Sequence, residues 1–238
     1  AVVSVDENGE RDFTFYRDPG ADSMLLKDEI PLGLLKEARF LHFGSVSLTR
    51  EPARTTTLCA AETARALGAV ITYDPNYRAN LWPDRDTAIR RMRKPLDMVD
   101  ILKISDEELP LLADTDDLEA GTAALAEHGI RLILVTLGPN GVFYRFGGKT
   151  GTVPGVPCTV GDTNGAGDTF FGRSVPAEPP GRPRLPDGGH AGRDAGLCQQ
   201  SGFHHHQPPG RHPRHAHPGR DENPPVTHTA GYKGAVLQ

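Results

Sequence analysis

The sequence predicts an α/β fold built on a parallel sheet, and two observations indicate this class. Short aliphatic and β-branched runs alternate along the chain with longer segments of helical periodicity, which is the order expected of βαβ units. Several of these runs are followed directly by polar residues or glycine, and in parallel sheets the carboxyl ends of the strands form the ligand side. A length of 238 residues accommodates one large domain of this class, or a domain with a tail.

The first elements are a predicted β-hairpin over about residues 1–18 and the beginning of the alternating pattern. The apolar run Ala1–Val5 precedes the turn-forming Asp6–Gly9, and polar and apolar residues then alternate over 12–16. Further on, periodicity predicts a helix over 32–39, a strand over 40–43, a helix over 51–67 ending at Gly68, and a strand over 69–73.

The second half of the pattern repeats this alternation. It predicts a helix over 84–99, a strand over 100–104, a helix from Ser105, a helix over 117–128, a strand over 132–136, a turn over 137–141, a strand over 142–146 that pairs back, and short strands within 147–160. Ser105 and Glu108 have the spacing of a capping box, in which each side chain accepts the other residue's backbone N–H.

Composition excludes several functional classes. Residues 1–172 carry 18 Lys and Arg against 26 Asp and Glu, so they offer no basic surface for nucleic acid. No apolar run reaches the roughly 18–20 residues that span a membrane, and no signal peptide opens the chain. Cys59, Cys158 and Cys198 form no CxxC pair, which favours free thiols in a reducing compartment. We therefore expect a cytoplasmic protein without nucleic-acid or membrane partners.

Residues 173–238 differ sharply from the rest of the chain. They contain 11 of the 21 prolines and 8 of the 10 histidines, with very few aliphatic residues. Such a composition cannot bury a core, so we predict a disordered tail rich in Pro, Gly, His and Arg. Pro176 and the prolines that follow would interrupt any helix continuing from Gly172. An abrupt change of this kind is typical of a reading-frame shift in a GC-rich gene, and we hypothesise that origin.

The run Asp162–Gly172 contains the strongest local signal for chemistry. Gly165, Ala166 and Gly167 allow backbone N–H groups to approach a ligand closely, and a helix that starts there forms an anion site. Asp168 would then lie in the first helical turn, beside the bound anion. A carboxylate in that place suits a base that takes a proton from a hydroxyl attacking phosphorus. The alternative interpretation is a glycine-rich turn that caps an ordinary helix.

A second candidate group follows the strand predicted over 69–73. Asp74, Asn76 and Arg78 lie at its carboxyl end, where a ligand of a parallel sheet is expected. An arginine there can bind a phosphate through two parallel hydrogen bonds. A solvated loop with a capping aspartate is an equally open interpretation of these residues.

Taken together, several segments resemble the ribokinase-like (PfkB) sugar kinases, and within that family the fructokinases. The matching segments lie within 9–22, 42–54, 73–82, 103–109 and 135–141, and in the Asp162–Asp168 loop. The resemblance implies a three-layer α/β/α Rossmann-like sheet with a small β lid over residues 1–172. The family's Gly-Gly-x-x-x-Asn signature and sugar-binding aspartate are absent from this sequence, and the resemblance ends at Gly172. We therefore expect an incomplete version of that fold.

The resemblance also implies ATP-dependent phosphorylation of a sugar hydroxyl, with fructose 6-phosphate as the expected product. Asp168 would be the base, the N–H groups of Gly165, Ala166 and Gly167 the anion hole, and Arg78 a contact to the phosphates. Tyr16 and Arg17 of the lid would contact the sugar. The residues implied on the nucleotide side are Ser105, Glu108, Thr136, Gly138, Gly141 and Asn164, together with Gly165 and Gly167. Glu108 would hold Mg²⁺ through water, and Asp162 and Thr163 would bind a monovalent cation such as K⁺.

Other functions remain open at this point. Within the same family, 2-keto-3-deoxygluconate is an alternative acceptor, and the lid would support a homodimer. Because both flanks of the family pattern are missing, we expect impaired activity. The alternatives are an inactive fragment and a remnant that binds nucleotide or sugar without turnover. A dinucleotide-binding protein is disfavoured, since no G-x-G-x-x-G follows the first strand.

Overall fold

A computed structural model describes residues 2–5, 11–14, 20–157, 165–174 and 234–237. Its strands are β1 (Val2–Val5), β2 (Arg11–Thr14), β3 (Phe40–Gly44), β4 (Val70–Asp74), β5 (Ile101–Ser105), β6 (Leu132–Thr136), β7 (Val142–Phe146), β8 (Lys149–Val153) and β9 (Gly234–Leu237). Strands β1 and β2 form a separate antiparallel hairpin, as the sequence predicts. The other seven form one sheet in the order β8-β7-β6-β5-β4-β3-β9. Strands β3 to β6 are parallel, and β7 and β8 turn back antiparallel.

Helices cover both faces of this sheet. They are α1 (Leu32–Glu37), α2 (Ala53–Ala66), α3 (Arg85–Arg93), α4 (Leu109–Ala113), α5 (Leu118–Ala126) and α6 (Ala166–Ser174). Apolar residues of α2 to α5 share one buried cluster with β3 to β6, while Phe171 of α6 packs with the opposite face. The expected three-layer α/β/α architecture is therefore confirmed. In the described ranges, no helix has the length and apolar character needed to cross a membrane.

The larger core lies between the sheet and α2 to α5. Phe43 of β3 and Tyr73 of β4 are fully buried there, with ring centroids 4.7 Å apart and the planes tilted by 24°. The Tyr73 hydroxyl donates to the Met92 carbonyl of α3 at 3.3 Å. Burial, together with the nearby carboxylates of Glu108 and Asp74, raises the pKa of Tyr73 well above its usual value. This tyrosine therefore serves as a neutral packing and hydrogen-bonding residue.

Two helix boundaries differ from the sequence prediction. Helix α3 ends at Arg93 rather than at residue 99, because Pro95 cannot continue the helix and a short 3₁₀ turn follows over Leu96–Met98. The helix expected from Ser105 begins instead at Leu109. The three residues between them form a turn in which the Glu108 side chain points back to the end of β5.

A short part of the tail and one cysteine also depart from expectation. Gly234–Leu237, within the predicted disordered tail, forms β9, parallel to β3. The prediction of disorder for 175–233, and the proposed frame shift, lie outside the described residues. Cys59 of α2 is disulfide-bonded, so the expectation of free thiols is wrong for this cysteine.

The core can be tested with two phenylalanines of different burial. Phe43→Ala should lower the free energy of unfolding by about 3–5 kcal/mol, because the lost ring leaves a cavity between sheet and helices. Phe146→Ala removes the same side chain where 49% of the residue is exposed, and should cost about 1 kcal/mol or less. Urea denaturation of both variants measures the difference. Equal losses would contradict the placement of Phe43 in the core.

Candidate active site

The face of the sheet beneath α6 changes from apolar to polar along the strands. Near the strand starts, Val70 and Ile101 pack with Phe171 in an apolar cluster. Two residues further along, alternation places polar side chains on the same face, and these include His42, Thr72 and Lys103. The sheet is thus apolar below the end of α6 and polar below its beginning.

Gly165 sets the start of α6. Its φ of +71° is a left-handed conformation that favours glycine, and the helix begins at the next residue. The Thr169 N–H donates to the Gly165 carbonyl at 2.9 Å, so the N–H groups before Thr169 have no partner within the helix. Asp168 lies exposed in the first turn. The predicted placement of Asp168 at the start of a glycine-led helix is therefore confirmed.

The carboxylate of Glu108 ties together the loops after β4 and β5. Its Oε1 accepts the Tyr77 N–H at 2.6 Å, and its Oε2 accepts the Ser105 N–H at 2.9 Å. In return, the Glu108 N–H donates to the Ser105 hydroxyl at 3.2 Å. The reciprocal pairing predicted for Ser105 and Glu108 is confirmed, although α4 begins after it. Only 7% of Glu108 is exposed, so this carboxylate is a buried acceptor of backbone hydrogen bonds.

The loop after β4 carries Arg78 toward the same end of the sheet. Asn76 adopts a left-handed φ of 48°, which Asn tolerates better than most residues and which turns the chain sharply after Pro75. The Pro75 carbonyl accepts the Ser45 N–H at 2.9 Å, so this loop is also joined to the end of β3. Arg78 is half-buried, and its Nη1 donates to the Tyr77 carbonyl at 3.0 Å.

The turn after β6 is built on two glycines. Gly138 and Gly141 have φ values of +56° and +100°, and the Leu137 N–H donates to the Gly141 carbonyl at 2.8 Å. A Cβ added at Gly141 would overlap the backbone carbonyl of Val153. The Thr136 carbonyl accepts the Asp106 N–H at 3.1 Å, which places this turn beside the Ser105–Glu108 loop. The structure thus brings together the residues expected to contact a nucleotide, except Asn164.

A buried ion pair lies between these loops and α6. Lys103 Nζ is 3.0 Å from Asp74 Oδ2, and the two side chains are only 8% and 4% exposed. Burial raises the pKa of Asp74 to about 6, opposed by Lys103 and reinforced by Glu108 and Asp168. Asp74 Oδ1 is buried without a hydrogen-bond partner in the described part of the chain. Sequence reasoning assigned no role to Lys103, although a lysine between Ile101-Leu102 and Ile104 was a signal, since lysine is rarely buried unpaired.

His42 of β3 lies at the other side of the α6 start. Its Nδ1 and the Thr72 hydroxyl oxygen are 3.0 Å apart, and its ring centroid is 5.2 Å from that of Phe171. Burial lowers the pKa of His42, with a partial opposing effect from Asp168. The imidazole is therefore favoured in its neutral form beneath the helix.

Five of the expected site residues fall outside the described ranges. They are Tyr16, Arg17, Asp162, Thr163 and Asn164. Their expected roles in binding sugar, a monovalent cation and nucleotide stay predictions. The described candidate site consists of the α6 start, the loops after β4 and β5, the turn after β6, and the Lys103–Asp74 pair.

The turn after β6 can be tested by adding one methyl group. Gly141→Ala should lower the free energy of unfolding by more than about 2 kcal/mol, because alanine disfavours this φ and its Cβ meets backbone that cannot move away easily. Gly33→Ala in α1 is the matched control, since open space surrounds its Cβ position and alanine favours helix. Chemical denaturation measures both changes. A Gly141→Ala protein as stable as Gly33→Ala would contradict the observed turn.

The raised pKa of Asp74 predicts a specific pH dependence. Between about pH 4 and pH 6, the folded protein holds a proton on Asp74 that the unfolded chain releases, so this residue's contribution to the free energy of unfolding falls as pH rises. The stability of the wild type relative to Asp74→Asn should therefore decline across this window. Urea titrations at several pH values measure the decline.

Asp114→Asn provides a control of opposite sign. The hydrogen bonds from Arg93 lower the pKa of Asp114, so its contribution to stability is lost as pH falls rather than as it rises. A wild type whose stability relative to Asp74→Asn is constant from pH 4 to 6 would contradict the burial of an ionisable Asp74.

Sequence and structure comparisons identify relatives of this chain. Residues 1–173 match the family described as pfkB family carbohydrate kinase. The chain is 40% identical to probable fructokinase-4 of Arabidopsis thaliana and 42% identical to fructokinase-1 of Zea mays, each over 173 residues. These alignments cover 72% of the chain and 53% and 54% of the two relatives. The chain thus spans about half the length of the relatives it matches.

Solved structures give the same result. The fructokinase of Vibrio cholerae O395 in its fructose-, ADP- and calcium-bound form superposes with a TM-score of 0.64 at 31% identity, over 71% of this chain and 55% of that one. The ATP-bound fructokinase of Xylella fastidiosa superposes with a TM-score of 0.65 at 30% identity, over 83% and 56%. Together with the glycine-led helix that carries Asp168, these matches establish that the chain belongs to the pfkB family of carbohydrate kinases.

Proposed function

We propose that this chain transfers the terminal phosphoryl group of ATP to a sugar hydroxyl, with fructose as the acceptor and fructose 6-phosphate as the product. The observation that carries the proposal is Asp168, exposed in the first turn of a helix whose leading N–H groups lack intrahelical partners. Membership of a carbohydrate kinase family supports the class of acceptor. The fructose- and ADP-bound relative supports the choice of sugar.

In the proposed reaction, Asp168 and the leading N–H groups of α6 have different roles. Asp168 accepts the proton of the attacking hydroxyl as its oxygen bonds to phosphorus and the bond from phosphorus to the ADP oxygen breaks. The N–H groups of Gly165, Ala166 and Gly167 stabilise the negative charge on the transferred phosphoryl oxygens. Arg78, carried on the loop after β4, adds a positive charge to the site.

The described residues fit a nucleotide and a magnesium ion. Within the described part of the chain, no group of three or more His, Cys, Asp or Glu side chains could hold a metal by itself. Mg²⁺ keeps several waters and is usually held by one or two carboxylates together with substrate phosphates, so a single carboxylate beside the nucleotide can serve it. Glu108 would hold it through water, and the ion would neutralise phosphate charge. Ser105, Thr136, Gly138 and Gly141 would contact the nucleotide, with Asn164 completing that side.

The remaining roles follow from family resemblance. Tyr16 and Arg17 would contact the sugar from the lid hairpin, and Asp162 and Thr163 would bind K⁺. A potassium-bound double mutant of the Vibrio cholerae fructokinase supports that cation. The lid would also support a homodimer, and a cytoplasmic location stays part of the proposal.

A second candidate function is binding of nucleotide or sugar without turnover. It is favoured by the extent of the match, because the chain covers about half the length of its relatives. A different acceptor is also open, including 2-keto-3-deoxygluconate. The aminoimidazole riboside kinase of Salmonella enterica superposes with a TM-score of 0.59 at 28% identity, so sugar kinases for other acceptors share this fold.

Turnover and binding together decide between these candidates. In a coupled ADP-release assay with fructose, Asp168→Asn should lower kcat by about 10²–10⁴-fold, because the hydroxyl loses its proton acceptor. ADP binding should stay within about threefold of wild type, since the substitution removes no proposed nucleotide contact. The exposed Asp116→Asn is the matched control and should keep full activity.

The outcomes separate the two proposals. A wild type that binds ADP but turns over none of fructose, 2-keto-3-deoxygluconate and aminoimidazole riboside would support the binding function and contradict the kinase. Turnover that survives in Asp168→Asn would contradict the assignment of the base.

A further inference from the structure

Lys103 is an unusual residue for its position. It lies in the middle of β5, flanked by Leu102 and Ile104, which are fully buried in the main core. Its own side chain points to the other face, toward α6, and is 8% exposed. Register explains its partner: Tyr73 pairs with Leu102, so the next residues along the two strands are Asp74 and Lys103.

The ammonium of Lys103 also touches the start of α6. Its Nζ is 3.0 Å from the place where a Cβ at Gly167 would be, so the charged end packs directly against this glycine. A Cβ at position 167 would require the ammonium to shift by a few tenths of an ångström. Lys103, held by Asp74, therefore packs directly beneath the first turn of α6.

Stability does not explain why this pair is ionic. Burying two charges costs solvation energy that their attraction often fails to recover, and well-packed apolar residues can replace such pairs without loss. Negative charge is also in excess here, because Glu108 and Asp168 both act on Asp74 in addition to Lys103. Lys103 supplies a buried positive charge behind the helix turn that would receive an anion.

We propose that Lys103 is a positioning residue for phosphoryl transfer: held by Asp74, it supports Gly167 and the first turn of α6 and places a positive charge behind the anion-binding N–H groups. This inference rests on the proposed function, because it deepens the role of that same site. Lys103 itself contacts neither the sugar nor the phosphates in this scheme. Its effect acts through the position of α6 and through the local charge.

A double substitution separates charge from packing. Lys103→Met alone would leave Asp74 buried and unpaired, so it is combined with Asp74→Asn, which keeps the shapes and removes both charges. We expect this variant to fold, with kcat lowered about 10–100-fold and KM values for ATP and fructose within about threefold, since the charge favours the transition state over the bound substrates. Lys103→Arg keeps the charge and should retain at least about a third of the wild-type kcat.

Two results in this assay would overturn the inference. The first is a double variant that keeps kcat within twofold of wild type, which would show that the ion pair contributes only to packing. The second is a Lys103→Arg protein that folds but loses as much kcat as the double variant, which would make the charge irrelevant. Urea denaturation of each variant confirms that the comparison is made between folded proteins.

Amide hydrogen exchange tests the same inference without turnover. In the double variant, the amides of residues 169–172, the first that are hydrogen-bonded within α6, should exchange at least about tenfold faster than in wild type, because the ionic contact beneath the first turn is lost. Amides of α2 serve as the internal control and should exchange at unchanged rates. Unchanged exchange at 169–172 would overturn the positioning role. Faster exchange in a chain with no turnover would support it while contradicting the proposed kinase activity.

Discussion

The carboxylate of Glu108 is the contact on which the candidate site depends. It accepts backbone N–H groups from Tyr77 and Ser105, and thereby joins the loops that follow two neighbouring parallel strands. Each of those N–H groups would otherwise be left without an acceptor close to the protein interior, which costs free energy. A charged acceptor strengthens both hydrogen bonds. One buried side chain therefore fixes the position of the loop that carries Arg78 relative to the turn that begins at Ser105.

The second organising feature is the change in polarity along the α6 face of the sheet. Phe171 packs over Val70 and Ile101, whereas the first turn of the same helix lies over Lys103. The apolar end anchors the helix, and the polar end leaves its N–H groups and Asp168 free to meet a ligand. One short helix thus combines a packing role with a chemical one, because its end packs on apolar strand residues and its beginning lies over polar residues further along the same strands.

Local patterns predicted most of the secondary structure. Strands such as β6 were recognisable because their apolar runs are short and bounded by glycine or polar residues, and their predicted ranges agree with the structure to within a residue or two. Boundaries were wrong where a nearby residue changed the backbone, as with Pro95 after α3. The start of α4 was misplaced because the Glu108 N–H donates to the Ser105 carbonyl, three residues back, so that 106–108 form a turn before the helix. The β9 strand could not be predicted, because its pairing with β3 joins residues almost two hundred positions apart.

The sequence by itself determined the fold class, the family, and the glycine-led helix with Asp168, because these depend on periodicity and on the conformations that glycine allows. Only the tertiary structure decided that Lys103 pairs with Asp74 beneath Gly167. That contact requires the register between β4 and β5 and the docking of α6, and neither is encoded within any short segment. Burial in that place, rather than residue type, raises the pKa of Asp74 and makes an ordinary strand lysine a candidate for supporting catalysis.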